Sequence, residues 1–142
     1  MSVERALFAG APAAMPAGTD TASAPVLAPG RLYALQLHPV AQVSFETTPG
    51  RHRAPSDEYA GLAALRIAHP GSYRIAVDAP FWVDVVADGG LMDPRAFQGA
   101  PGCSAPHKIL EFEFPVARQL VLQFSGAADH VVRLSITPAH DR

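Results

Sequence analysis

From Gly30 onward the chain alternates, and that alternation limits what it can fold into more than any other feature. "RLYALQL" puts Tyr33, Leu35 and Leu37 on one side of an extended segment, and "AQVSFET" does the same with Val43 and Phe45. Six further runs follow: "LAALRI", "SYRIAV", "FWVDVVA", "KILEFEF", "QLVLQFS" and "HVVRLSI". Each has the length and period of a strand with one buried face, and most are closed by Pro, Gly or Asp. Pro-Gly occurs at 29–30, 49–50, 70–71 and 101–102. Proline presets the first turn angle and glycine accepts positive φ, so these pairs suit tight turns. No stretch carries a 3.6-residue stripe over ten positions. "DEYAGLAALRIA" comes nearest, with Asp57 as a potential cap, but Gly61 and the β-branched end favour a strand there too. The expected fold is all-β, an antiparallel β-sandwich of jelly-roll type with eight or nine short strands spanning residues 31–142.

The first 30 residues read differently. "AGAPAAMPAGTDTASAPVLAPG" is built from Ala, Pro, Gly, Ser and Thr and offers little apolar bulk to pack. The expectation for residues 1–30 is an Ala/Pro-rich arm, with an edge strand near "PVL" as the alternative. The 142 residues suit one domain, which at this length buries roughly 70% of the unfolded chain's surface.

Charge and cysteine usage remove several functions. With 11 Lys and Arg against 13 Asp and Glu there is no basic field for nucleic acid, and no apolar run is long enough to form a membrane-spanning helix. The opening "MSVERALFAGAPAAMPAG" lacks a continuous signal-peptide core, so the expectation is a cytoplasmic chain or an exported one already processed. One cysteine, Cys103, excludes an internal disulfide and a zinc site built on several thiolates.

Three places carry possible chemistry. In "APGCSAPHKILEFEFP", Cys103, His107 and Lys108 stand close in sequence. Thiolate and imidazole suit zinc or copper, but His38, His52, His69, His130 and His140 show neither HxH nor HxxxH spacing to complete a ligand set. A nucleophilic Cys–His pair would need a neighbouring charge such as Lys108. Glu111 and Glu113 share a strand face, roughly 6.5–7 Å apart at Cβ, a separation that also occurs between glycosidase carboxylates. Two such glutamates are more often a solvated face opposite a core of Leu110, Phe112 and Phe114. In "FWVDVVADGG", Phe81, Val83 and Val85 take one side, leaving Trp82 and Asp84 together on the other. An indole beside a carboxylate suits stacking on a sugar or aromatic ring; the reading preferred from the sequence is that Trp82 is a plug beneath the turn-rich stretch 88–107, with Asp84 tying down its backbone. The "RHR" at 51–53 is too small for a nucleic-acid groove, and phosphate loops, dinucleotide fingerprints and G-x-S-x-G elbows are missing from the sequence.

"YAGLAALRIAHPGSYRIAVDAPFWVDVVADG" followed by "GAPGCSAPHKILEFEFPVARQLVLQFSGA" resembles small bacterial exported proteins of unknown function. The likeness lies in a "G-x-Y-R-[VI]-A" strand, a "W-[VI]-D-V-V" strand and a "G-x-x-C-x-x-x-[RH]-K" loop, over roughly residues 59–127, and the general plan is similar to pre-peptidase C-terminal sandwiches. Some such proteins carry the name homogentisate dioxygenase; this chain is far shorter than that enzyme and lacks its clustered iron-binding histidines and glutamate. The resemblance implies a periplasmic sandwich with Tyr73, Trp82, Asp84, Cys103 and Lys108 at matching positions. The resulting expectation is a non-catalytic binding or accessory module with Trp82, Asp84, Cys103, His107 and Lys108 as ligand-binding residues. It takes an unidentified small molecule or protein as partner and uses no cofactor, nucleic acid or membrane insertion. The alternative is a metal-binding protein using Cys103 and His107 with other histidines.

Overall fold

The computed structural model describes residues 3–49, 58–99 and 106–139. These form a short helix α1 (Val3–Phe8), one turn of 3-10 helix (Val40–Gln42) and twelve strands. In chain order the strands are β1 (Ala13–Pro16), β2 (Val26–Leu27), β3 (Leu32–Gln36), β4 (His38–Pro39), β5 (Tyr59–Ile67), β6 (Gly71–Val77), β7 (Trp82–Ala87), β8 (Gly90–Leu91), β9 (Ala96–Gly99), β10 (Lys108–Phe114), β11 (Arg118–Ala127) and β12 (Val131–Pro138). One sheet runs β1-β3-β12-β6-β10-β9; the other runs β2-β5-β11-β7-β8, with β4 also paired to β5. The two sheets pack face to face as a β-sandwich.

The alternating runs explain the core. Tyr73, Ile75 and Val77 of β6, Leu110, Phe112 and Phe114 of β10, and Val132, Leu134 and Ile136 of β12 point inward from the first sheet. They meet Ala63, Leu65 and Ile67 of β5, Leu120, Leu122 and Phe124 of β11, and Val83 and Val85 of β7. Burying a large apolar side chain of this kind stabilises by roughly 1.5–3 kcal/mol, so this layer carries most of the driving force. Phe81 and Phe124 meet edge to face across it, with ring centroids 6.2 Å apart.

Three expectations require correction. The strands number twelve rather than eight or nine, because β1, β2, β4, β8 and β9 are two- to four-residue pieces, too short for side-chain alternation to mark them in the sequence. The sheets are mixed rather than antiparallel, since β1 runs parallel to β3 and β2 parallel to β5. "AQVSFET" is not a strand: after the 3-10 turn, residues 43–49 cross the outer face of the second sheet as a strap. Gln123, fully buried on that face, holds it. Its Oε1 accepts from the backbone N–H groups of Glu46 (2.8 Å) and Thr47 (3.0 Å), and its Nε2 donates to the Thr47 carbonyl (2.9 Å).

The N-terminal segment is built into both sheets. Helix α1 lays Phe8 against Leu32 and Ala76 on the outer face of the first sheet. Its buried Glu4 accepts a hydrogen bond from Thr137 Oγ1 at 2.9 Å. Gly18 and Leu62 exchange backbone hydrogen bonds of 2.8 and 3.0 Å. At Gly61 a Cβ would come within 2.6 Å of the Ala17 Cβ, so glycine is what admits this close approach onto β5. The alternative of an edge strand near "PVL" is met by β2, which buries Leu27; the rest of the docking left no trace in composition because its anchors are isolated side chains such as Phe8 and Leu27 together with backbone bonds, not a periodic pattern.

Candidate functional site

Each sheet ends in a short edge strand at the same side of the sandwich. β7 turns into β8 through Asp88 (φ 54°) and Gly89 (φ 77°), the two positive angles that a tight Asp-Gly hairpin requires. β8 then stops after two residues, and the chain crosses to the other sheet to pair β9 with β10. Phe97 of β9 stands opposite Leu110 in that pairing and so shares its inward-facing side. With little of the second sheet extending over it, Phe97 is 62% exposed, and Leu91 of β8 is 39% exposed.

A cleft of about 370 Å³ opens between the sheets at this edge. Val83, Leu110 and Phe112, all buried, form its floor; Leu91, Met92, Pro94 and Phe97 form its walls; Trp82, Asp84, Asp93 and Lys108 supply its polar atoms. A second cavity of about the same volume shares Trp82, Phe97 and Lys108 with it and adds Glu58, Pro80, Phe81, His107 and Gly126. Trp82, half-buried, is thus common to both. Its Nε1 donates to Asp84 Oδ1 at 2.8 Å, and Lys108 Nζ lies 5.7 Å from the centre of its ring. The first contact gives Asp84, only 6% exposed, a neutral donor, and the second is a cation–π contact that orients the ammonium.

Trp82, Asp84 and Lys108 therefore line one cleft, while His107 joins Trp82 and Lys108 in the neighbouring cavity. Cys103 lies outside the described residues, as does the "RHR" at 51–53. Among the described residues no group of three His, Cys, Asp or Glu side chains is placed to hold a metal ion. Of the histidines, His38 donates from Nε2 to the Ala17 carbonyl and His130 packs against the Tyr59 ring, each in its own local setting. Glu111 and Glu113 belong to a surface ion-pair network. Glu111 lies 3.5 Å from both Arg74 Nε and Arg95 Nε, and Glu113 lies 3.1 Å from an Arg95 terminal nitrogen. Leu110, Phe112 and Phe114 fill the core on the other side.

Sequence reasoning missed Phe97, Leu91 and Met92, which sit in the turn-rich stretch where no period marks them. An aromatic residue isolated in a polar, Gly- and Pro-containing segment, "DPRAFQG", is the one signal the sequence offers. Compared with protein-family models, curated proteins and solved structures, the chain matches none.

Proposed function

We propose that this protein is a non-catalytic ligand-binding module whose ligand enters the cleft between the sheets at the β8/β9 edge. The observation that carries this reading is Phe97, an aromatic side chain aligned with the core yet 62% exposed at the mouth of a cleft with a buried apolar floor. Contiguous exposed apolar surface around a concavity is the usual mark of a binding site. The reading is of binding rather than catalysis because Trp82 holds both Asp84 and Lys108, an arrangement that orients groups. Resemblance to small exported bacterial proteins supports a periplasmic setting.

Trp82 is the chain's only tryptophan and lines the cleft, so its emission reports on occupancy directly. Titration with a neutral apolar dye such as N-phenyl-1-naphthylamine is expected to change that emission saturably at one equivalent. Phe97→Ala is expected to weaken the dye roughly tenfold, the loss of one aromatic contact. No saturable change, or a response identical in Phe97→Ala, would refute the reading.

A further inference from the structure

We infer that the cleft takes an extended peptide segment of a partner protein, added as a short strand to the open edge of β7 with an apolar side chain opposite Val83. This rests on the binding reading above and specifies its ligand. Consecutive residues Trp82, Val83 and Asp84 all line the cleft, although their side chains alternate between the two faces of the sheet. What they share is the edge of the strand, so the cleft runs along that edge.

The register of β8 explains why the edge is open. β8 pairs with β7 only at Val86 and Ala87, and beyond it the Met92 N–H bonds the Val85 carbonyl at 2.8 Å. Val85 therefore turns its backbone groups toward β8, and by the alternation of an antiparallel ladder Val83 turns its own the same way. Continued in the same register, the residue opposite Val83 is Pro94, which has no N–H to donate. The ladder ends there. Among the described residues neither a strand nor a loop supplies Val83 with a backbone partner on that side. Val83 is nonetheless only 5% exposed, a depth at which a peptide N–H and carbonyl ordinarily have partners.

An extended peptide supplies the missing pair. A residue placed antiparallel opposite Val83 donates its N–H to the Val83 carbonyl and accepts from the Val83 N–H with its own carbonyl. Its side chain then points as Val83 does, between the sheets, onto the floor of Leu110 and Phe112 and beside Phe97. One residue thus completes the ladder and covers the apolar floor. The side chains flanking it fall on the outer face with Trp82 and Asp84, so the addition calls for no free charge in the cleft. A hydrocarbon ligand would cover the floor but leave both backbone groups of Val83 without partners.

The test uses the full-length protein and the blocked peptide Ac-Ser-Thr-Leu-Thr-Ser-NH2, whose single apolar residue sets its register. Titration is expected to move the Val83 backbone amide downfield in proton–nitrogen spectra and to slow its hydrogen exchange, while the amide of Leu134, at the centre of the first sheet, stays unmoved. N-methylation of the leucine removes the N–H that bonds Val83 and is expected to weaken binding roughly tenfold. N-methylation of the threonine after it, whose N–H faces away from β7, is expected to change binding by less than about threefold. A Val83 amide that the peptide leaves unmoved, or equal losses from the two N-methylations, would overturn the inference. If the neutral dye still binds in that case, the binding reading stands; if neither peptide nor dye binds, both fall.

Discussion

A single rung across the first sheet passes from the middle of the sandwich to its edge: Ile136 pairs with Ile75, Ile75 with Leu110, and Leu110 with Phe97. All four side chains point the same way, yet their exposures are 0%, 0%, 8% and 62%. The side chains are comparably apolar, so the difference lies in what stands opposite. Ile136 and Ile75 face β5 and β11, which are nine and ten residues long, whereas the sheet opposite Phe97 has dwindled to the two residues of β8. One surface therefore serves as core at its centre and as a cleft at its margin.

If that contrast is right, substitutions should lose effect on stability from centre to edge. The largest loss is expected for Phe124→Ala at the centre of the second sheet, about 3–5 kcal/mol in a denaturant melt, from lost burial and the cavity left behind. Gln123→Ala comes next, at about 1–3 kcal/mol, because the N–H groups of Glu46 and Thr47 and the Thr47 carbonyl lose their partner. Hydrogen exchange should show those two amides losing protection while β12 keeps its own. Phe97→Ala, despite removing a whole aromatic ring, should shift stability by no more than about 0.5 kcal/mol. A loss near that of Phe124→Ala would mean that the edge is packed as the centre is.

The smallest effect concerns the hairpin that starts the edge. Arg118 meets the Asp88 carboxylate with two contacts of 3.0 and 3.1 Å, and its hydrogen bond and then its charge hold that carboxyl below its ordinary range. A lowered folded pKa contributes stability above the unfolded value, near pH 4, and that contribution fades as pH falls through the folded value. Asp88 is exposed and Arg118 is only partly covered, so the effect on unfolding should be slight. Carboxyl NMR should nonetheless show Asp88 titrating lower in the wild type than in Arg118→Gln.

The legible part of the fold was the part that side-chain alternation writes. Seven runs became β3, β5, β6, β7, β10, β11 and β12 because one of their faces is core, and period two is the signature of that situation. "AQVSFET" alternates too, but Val43 and Phe45 only half bury, as members of a strap that Gln123 holds by its amide, a contact between residues 76 and 77 apart in sequence. β1 and β2 pair through backbone groups that every residue possesses and pack only Ala13, Met15 and Leu27 against the core, too few for a period to show. Of the candidate site, Trp82 and Asp84 were legible because alternation forces them onto one face; Lys108 was singled out only as the sequence neighbour of Cys103 and His107 and through the resemblance, and its place in one row with Leu110 and Phe112 comes from the structure. Phe97 acquires its meaning only from the shortness of β8, which no local pattern announces.

The most direct test of the central claim, that this edge is a ligand cleft continuous with the core, is methyl NMR of the protein titrated with the neutral dye. Shifts are expected at Val83, Leu91, Met92 and Leu110, which line the cleft, while Leu122, Leu134 and Ile136 at the centre stay unmoved. Shifts spread evenly over both groups, or confined to the central one, would contradict it.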